Sequence, residues 1–157
     1  MYAGHSSRGA ALTRLVLSAF PFHAGLMAAG ERLTAPVGLT SARWQVLSQA
    51  CRADPPETVS GVARAMGLTR QAVQRLANEL AAAGFLAFED NPQHKRAALL
   101  VPTDRGRSAF AAMLERQVPW VNALSADMDE GEIIRATALI ERLTELFEAR
   151  CGEGQAD

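Results

Sequence analysis

Cysteine is almost absent from this chain. Cys51 and Cys151 are the two present; they lie far apart, with no Cys or His at ligand spacing from either. Their isolation argues against a disulfide scaffold and against a zinc site, and it fits a reducing, cytoplasmic setting. Excess charge of one sign is also missing, since 16 basic and 17 acidic residues leave a net charge of -1. Bulk charge therefore favours no nucleic-acid partner. No glycine-rich phosphate loop, nucleophile elbow or metal-binding pair occurs, and the three histidines are widely separated. Neither an enzyme class, a metal nor a cofactor finds support in these residues. Internal repeats and low-complexity segments are lacking as well.

What remains is a chain of 157 residues, 48% of them hydrophobic, enough for one compact unit with a core. Its charge is unevenly placed. Residues 1–59 carry 5 basic and 3 acidic groups, residues 60–107 carry 7 and 4, and residues 108–157 carry 4 and 10. A mildly basic centre beside an acidic C-terminal region leaves one surface able to meet phosphates, although a solvated acidic helix explains the same numbers. Leu15 to Gly30 has no formally charged residue and follows Arg8 and Arg14, so a signal peptide is the one targeting alternative. Pro21 and His23 interrupt that run and it is short for a membrane span, so no membrane partner is expected.

Hydrophobic spacing places a long helix over residues 10–33 through Leu12, Leu15, Val16, Ala19, Phe22 and Leu26, kinked at Pro21. Thr40 or Ser41 caps a second helix carrying Trp44, Val46 and Leu47 and ending near Arg52. A short helix from Ser60 turns Val62, Ala63 and Met66 inward and stops at Gly67. Thr69 caps the next, whose stripe is Val73, Leu76, Ala77 and Leu80, with Arg70, Gln71, Gln74, Arg75 and Asn78 opposite and Gly84 at its end. Residues 85–89 and 97–101 read as strands joined by a polar tip. Thr103 and Asp104 cap a helix that Pro119 should bend or break. Asp129 followed by Glu132 starts a last helix with the stripe Ile133, Ala136, Ile140, Leu143 and Phe147. The fold class is mainly α with a small β-hairpin.

Two helices joined by a short glycine turn, the second polar on one face, form an arrangement that presents a helix to the major groove. Arginine can donate two parallel hydrogen bonds to guanine and glutamine can pair similarly with adenine. Thr69, Arg70, Gln71, Gln74 and Arg75 are therefore candidates for base edges or nearby phosphates, and Asn78 for the DNA backbone. The hairpin tip adds His94, Lys95, which is the chain's one lysine, and Arg96. A basic tip can touch a phosphate or enter the minor groove. A charged helix face alone is usually just a solvated surface; helix, glycine turn, helix and basic hairpin in succession are more specific.

These residues resemble the multiple-antibiotic-resistance regulator (MarR) family of bacterial transcription factors. The likeness runs from Val62-Ala63-Arg64-Ala65-Met66-Gly67-Leu68-Thr69 through Val73-Gln74-Arg75-Leu76, Leu80 and Gly84-Phe85-Leu86 to Asn91-Pro92, Arg96, Thr103 and Gly106, without a gap. Gly38-Leu39-Thr40 with Trp44 and Leu47 extends it to residues 10–150. The resemblance implies a winged helix-turn-helix over residues 36–104, flanked by dimerisation helices at 10–35 and 105–150, in a homodimer that grips a palindromic operator in double-stranded DNA. Packing of the terminal helices on the central unit of a monomer is the alternative.

The resemblance also implies a repressor released by a small aromatic or anionic effector. The matching region contains Phe20, His23, Met27, Arg43 and Trp44, although residues such as Phe20, Met27 and Trp44 are more often core, Arg43 also reads as a surface or phosphate contact at a helix start, and His23 as a buried, satisfied histidine. Two positions depart from the family: His94 stands where an aspartate commonly holds the wing arginine, and Pro102 where a leucine is usual. His94 cannot pair with Arg96 as an aspartate does, which leaves a looser tip or a protonated His94 on a phosphate. Pro102 removes a backbone donor at a strand end, where the loss is tolerable. Two other readings stay open: a winged adaptor that reads no DNA, and an oxidant sensor whose Cys51 thiol is activated by neighbouring Arg52.

Overall fold

In the computed structural model, the structure describes residues 4–94 and 96–153, the last three through their backbone. Lys95 and the side chain of Cys151 therefore lie outside the described residues. The chain divides into two compact units, one ending at Gln117 and one beginning at Val118.

The first unit opens with α1 (Ser7–Thr34), which starts three residues before the expected residue 10 because the Ser6 hydroxyl accepts the Gly9 N–H at 3.1 Å. Helix α1 continues through Pro21. Together with the 3-10 turn that follows, it is long and apolar enough to cross a membrane by length and composition, and its most apolar stretch is unburied. Its far end is tied to the next helix: Glu31 Oε1 accepts the Ser41 N–H at 2.9 Å, at the start of α2 (Ser41–Arg52). Thr40 caps α2 by accepting the Arg43 N–H.

Helices α3 (Val59–Met66) and α4 (Arg70–Ala82) form the helix-turn-helix. Helix α3 begins at Val59 rather than Ser60 because Thr58 caps it, its hydroxyl accepting the Gly61 N–H. Both helices close in the same way. Gly67 and Gly84 take left-handed φ values of 62° and 76°, and the residue after each glycine donates back five positions, Leu68 to the Ala63 carbonyl and Phe85 to the Leu80 carbonyl. A residue with a Cβ would be strained in that conformation.

That closure shortens the wing. Phe85 spends its N–H on α4, so β1 begins at Leu86 and spans Leu86–Glu89. Ala97 donates to the His94 carbonyl in the tip turn, and β2 covers Leu99–Pro102 rather than residues 97–101. The strands pair antiparallel with Leu86 opposite Pro102 and Glu89 opposite Leu99. The other edge of β2 is also used: Leu99 bridges to Thr58, and the Leu100 N–H donates to the Glu57 carbonyl at 2.8 Å. Pro102 sits at the strand end, where its missing donor interrupts little.

Helix α5 (Asp104–Ser125) is capped by Thr103, whose hydroxyl accepts the Gly106 N–H at 3.1 Å and donates to the Gly84 carbonyl at 2.6 Å. One threonine thus joins the end of α4 to the start of α5. The core of this unit is formed by Val46 and Leu47 of α2, Val62 of α3, Val73, Ala77 and Leu80 of α4, Leu100 of β2 and Met113 of α5, all essentially inaccessible to solvent. Four elements and the hairpin bury their apolar faces in one place, which fixes the outward direction of α4.

The second unit holds the rest of α5 and α6 (Glu130–Glu153). Pro119 neither ends nor interrupts α5, which runs on to Ser125. A proline forfeits one bond to the carbonyl four residues back, and the remaining ladder carries the helix past it. Asp129 caps α6, its Oδ1 accepting the Glu132 N–H at 2.8 Å. Val118, Val121, Leu124, Ile134, Ile140 and Phe147 stay exposed.

Candidate nucleic-acid interface

Helix α4 sets the position of the candidate reading residues. Because Val73, Leu76, Ala77 and Leu80 face the core, the 3.6-residue period sends Arg70, Gln71, Gln74, Arg75 and Asn78 to the other side, where they line one open groove with Glu79. Thr69 is occupied as the cap, its hydroxyl accepting the Ala72 N–H at 3.2 Å, and it marks the end of α4 whose free amides favour an anion.

A second concavity of about 160 Å³ lies between the starts of α3 and α4 and the hairpin, lined by Thr58, Ser60, Arg70, Gln74, Phe88 and Arg96. The wing arginine is thereby brought beside two residues of α4 that precede it by more than twenty positions. Arg70 and Gln74 belong to both surfaces, so helix and wing form one continuous polar face. Among its walls, Thr58, Ser60 and Phe88 are absent from the residues that sequence alone singles out. The bridge between Thr58 and Leu99 places the first two there, and that contact has no local sequence signal. His94 lies in the tip turn, where its N–H donates to the Asn91 carbonyl, and does not line the concavity.

Three of the candidate side chains on the outward face of α4 already have partners. Gln74 donates to Asn78 Oδ1 at 2.9 Å. Arg75 pairs with Glu79 Oε1 at 2.8 Å, while Arg43, reaching across from α2, places Nε and Nη2 each 2.8 Å from Glu79 Oε2. The hydrogen bond from Arg43, with the positive charges of Arg43 and Arg75, lowers the Glu79 pKa from its ordinary value against the desolvation that opposes it. Glu79 is a member of the site that sequence reasoning missed. The four-residue spacing from Arg75 was its available signal.

The five residues of the proposed effector region are scattered in character. Phe20 and His23 are exposed on α1, and half-buried Met27 accepts a weak hydrogen bond from Gln45 at 3.7 Å. Arg43 is held by Glu79. Trp44 is core, stacked on Phe110 with ring centroids 5.5 Å apart. A cleft of about 310 Å³ runs along α2 and α5 past Trp44, Ser48, Gln49, Arg52, Met66 and Gln117; Trp44 is its one member from that set.

Cys51 differs from the activated thiol considered from sequence. Burial pushes its pKa up from 9.0 to about 11, and the opposing charge comes from Arg107. Arg52 instead places its guanidinium 5.8 Å from the Phe110 ring centre. A desolvated thiol stays protonated and weakly nucleophilic.

The sequence model of the MarR family matches residues 37–97. The uncharacterized protein Rv2011c of Mycobacterium tuberculosis is 40% identical over 126 residues, covering 80% of this chain and 86% of its own. A MarR protein from Peptoclostridium difficile superposes with a TM-score of 0.80 at 13% identity, over 99% of this chain and 97% of its own. A mutant MarR from E. coli complexed with operator DNA matches with a TM-score of 0.72 at 18% identity, over 84% and 92%. CouR from Rhodococcus jostii bound to p-coumaroyl-CoA matches with a TM-score of 0.71 at 20% identity, over 88% and 92%. At these identities the structural likeness is one of fold.

Proposed function

The chain belongs to the MarR family of transcription regulators, and from that premise we propose that it is a homodimeric, cytoplasmic repressor that reads a palindromic operator. One observation carries this reading: Arg70 and Gln74 of the outward face of α4 share a concavity with Arg96 of the wing. Guanidinium and amide groups on a helix face suit base edges in the major groove, and an arginine set to one side suits a phosphate or the adjacent minor groove. Residues 36–104 form the reading head.

Residues 10–35 and 105–150 supply the dimer contacts. Support comes from the apolar side chains they leave in solvent, among them Leu17, Phe20 and Phe22 on α1 and Leu124, Ile140 and Phe147 beyond it. A second copy would cover such faces and fix the spacing of two reading heads. On this reading the apolar length of α1 serves association. The effector, a small aromatic or anionic compound, binds where the second copy completes the walls that Phe20 and His23 begin. The solved complex of CouR with p-coumaroyl-CoA, a protein of the same fold, supports that expectation.

The test is binding at low salt to genomic promoter fragments, followed by substitution on the best site. Arg70→Ala or Gln74→Ala should weaken that site by about 1–3 kcal/mol and relax its base preference, whereas Arg96→Ala should weaken all duplexes and flatten the salt dependence. Retention of wild-type affinity by all three variants would overturn the assignment and leave a winged adaptor.

A further inference from the structure

The polar face of α4 contains one acidic residue, and it is bound on both sides. Arg43 donates twice to one oxygen of Glu79, from Nε and Nη2, and Arg75 takes the other oxygen. Arg43 belongs to α2, which is packed into the core through Val46 and Leu47. The carboxylate is consequently fixed by a second helix rather than free to follow Arg75. Arg75 itself remains mostly in solvent, with 69% of its side chain exposed.

We infer that Glu79 is a specificity-determining positioning residue, which, anchored by Arg43, holds the Arg75 guanidinium at one place on the reading face and partly withholds its charge from phosphates. The inference rests on the DNA-reading function proposed above. An unrestrained arginine samples many rotamers and attaches to any phosphate within reach, which raises affinity for every duplex alike. A restrained one spends less entropy when its intended base arrives and gains less from a random backbone. Glu79 therefore acts, through Arg75, on the ratio of the two affinities more than on either one.

The experiment uses the full-length protein, a duplex enriched by it from a randomised library, and a scrambled duplex of the same length. Glu79→Gln should bind the scrambled duplex about two- to fivefold more tightly, the range expected for release of an exposed ion pair. Its log–log salt slope should steepen by about 0.9, one additional phosphate contact. Both changes should vanish in the Arg75→Ala background. Arg43→Gln, which removes the anchor and leaves the Glu79–Arg75 pair, should lower discrimination without steepening the slope.

Persistence of the Glu79→Gln effects without Arg75 overturns the inference. So does equal weakening on both duplexes accompanied by a lower melting temperature, the mark of a merely structural pair. If wild-type protein enriches no sequence, the DNA-reading proposal itself falls and the role of Glu79 falls with it. If it enriches one and Glu79→Gln discriminates as wild type does, only the role assigned to Glu79 falls.

Discussion

Helices α4 and α6 have apolar stripes of the same period and opposite fates. Val73, Leu76, Ala77 and Leu80 of α4 are buried, whereas Ile140 and Phe147 of α6 are 56% and 52% exposed. The difference lies in what surrounds them. Helix α4 meets α2, α3 and the hairpin within its own unit, while the second unit ends with apolar side chains in solvent. Periodicity therefore identifies the inward face of a helix and leaves open whose interior it enters. Burying a Leu, Ile or Phe side chain is worth about 1.5–3 kcal/mol, so an uncovered row of them on α1, α5 and α6 favours a second copy as the cover.

Leu80→Ala should show the largest effect, because the side chain is fully enclosed. Its removal leaves a cavity and should cost about 2–5 kcal/mol in urea unfolding. The loss should be the same at every protein concentration, since this core is internal to one chain. A cost below about 1 kcal/mol would mean that the site collapses freely and that the two stripes differ less than their burial indicates.

A paired substitution on α6, Ile140→Asp with Phe147→Asp, probes the other side of the comparison. Its thermal midpoint should lose the concentration dependence of an associating protein, and sedimentation should show monomer. The winged unit should keep its fold, and affinity for a two-half-site duplex should fall toward that for one half-site. A variant that still sediments as a dimer would show that α6 is not the associating face, and the exposed stripe would need another cover.

The same contrast explains how much could be read from sequence. Helix limits were legible where a single residue type acts locally, with Thr40, Thr69, Thr103 and Asp129 serving as caps and Gly67 and Gly84 as left-handed closures. The wing's limits were not, because Phe85 gives its N–H to α4 and the far edge of β2 joins Glu57 and Thr58. The joining of β2 to Glu57 and Thr58 is a tertiary event without a local pattern, while the Phe85 bond belongs to the closure at Gly84. For the candidate interface, residue types identified the face of α4, but the adjacency of Arg96 to Arg70 and the reach of Arg43 to Glu79 across 36 positions depend on packing. Trp44 had the composition of a ligand wall, and in the fold it is both part of the core and one wall of the cleft along α2, since aromatic surface serves both purposes.

Cys51 offers the smallest effect and a test of where the buried region stops. It lies half-buried against the core, and burial raises its pKa from 9.0 to about 11. The thiolate fraction near pH 8 should then be about 100-fold below that of an ordinary thiol. Alkylation by iodoacetamide, followed by peptide mapping to separate Cys51 from Cys151, should be correspondingly slow in the folded protein and recover in urea. The sign for stability follows from the same shift. The folded state holds this proton more tightly than the unfolded state does, so stability is retained below pH 9.0 and declines as pH rises toward about 11. Cys51→Ala should flatten that decline. Equal alkylation rates in folded and unfolded protein would place Cys51 in solvent and restore the oxidant-sensing reading, because a thiol that ionises freely is the kind an oxidant reaches.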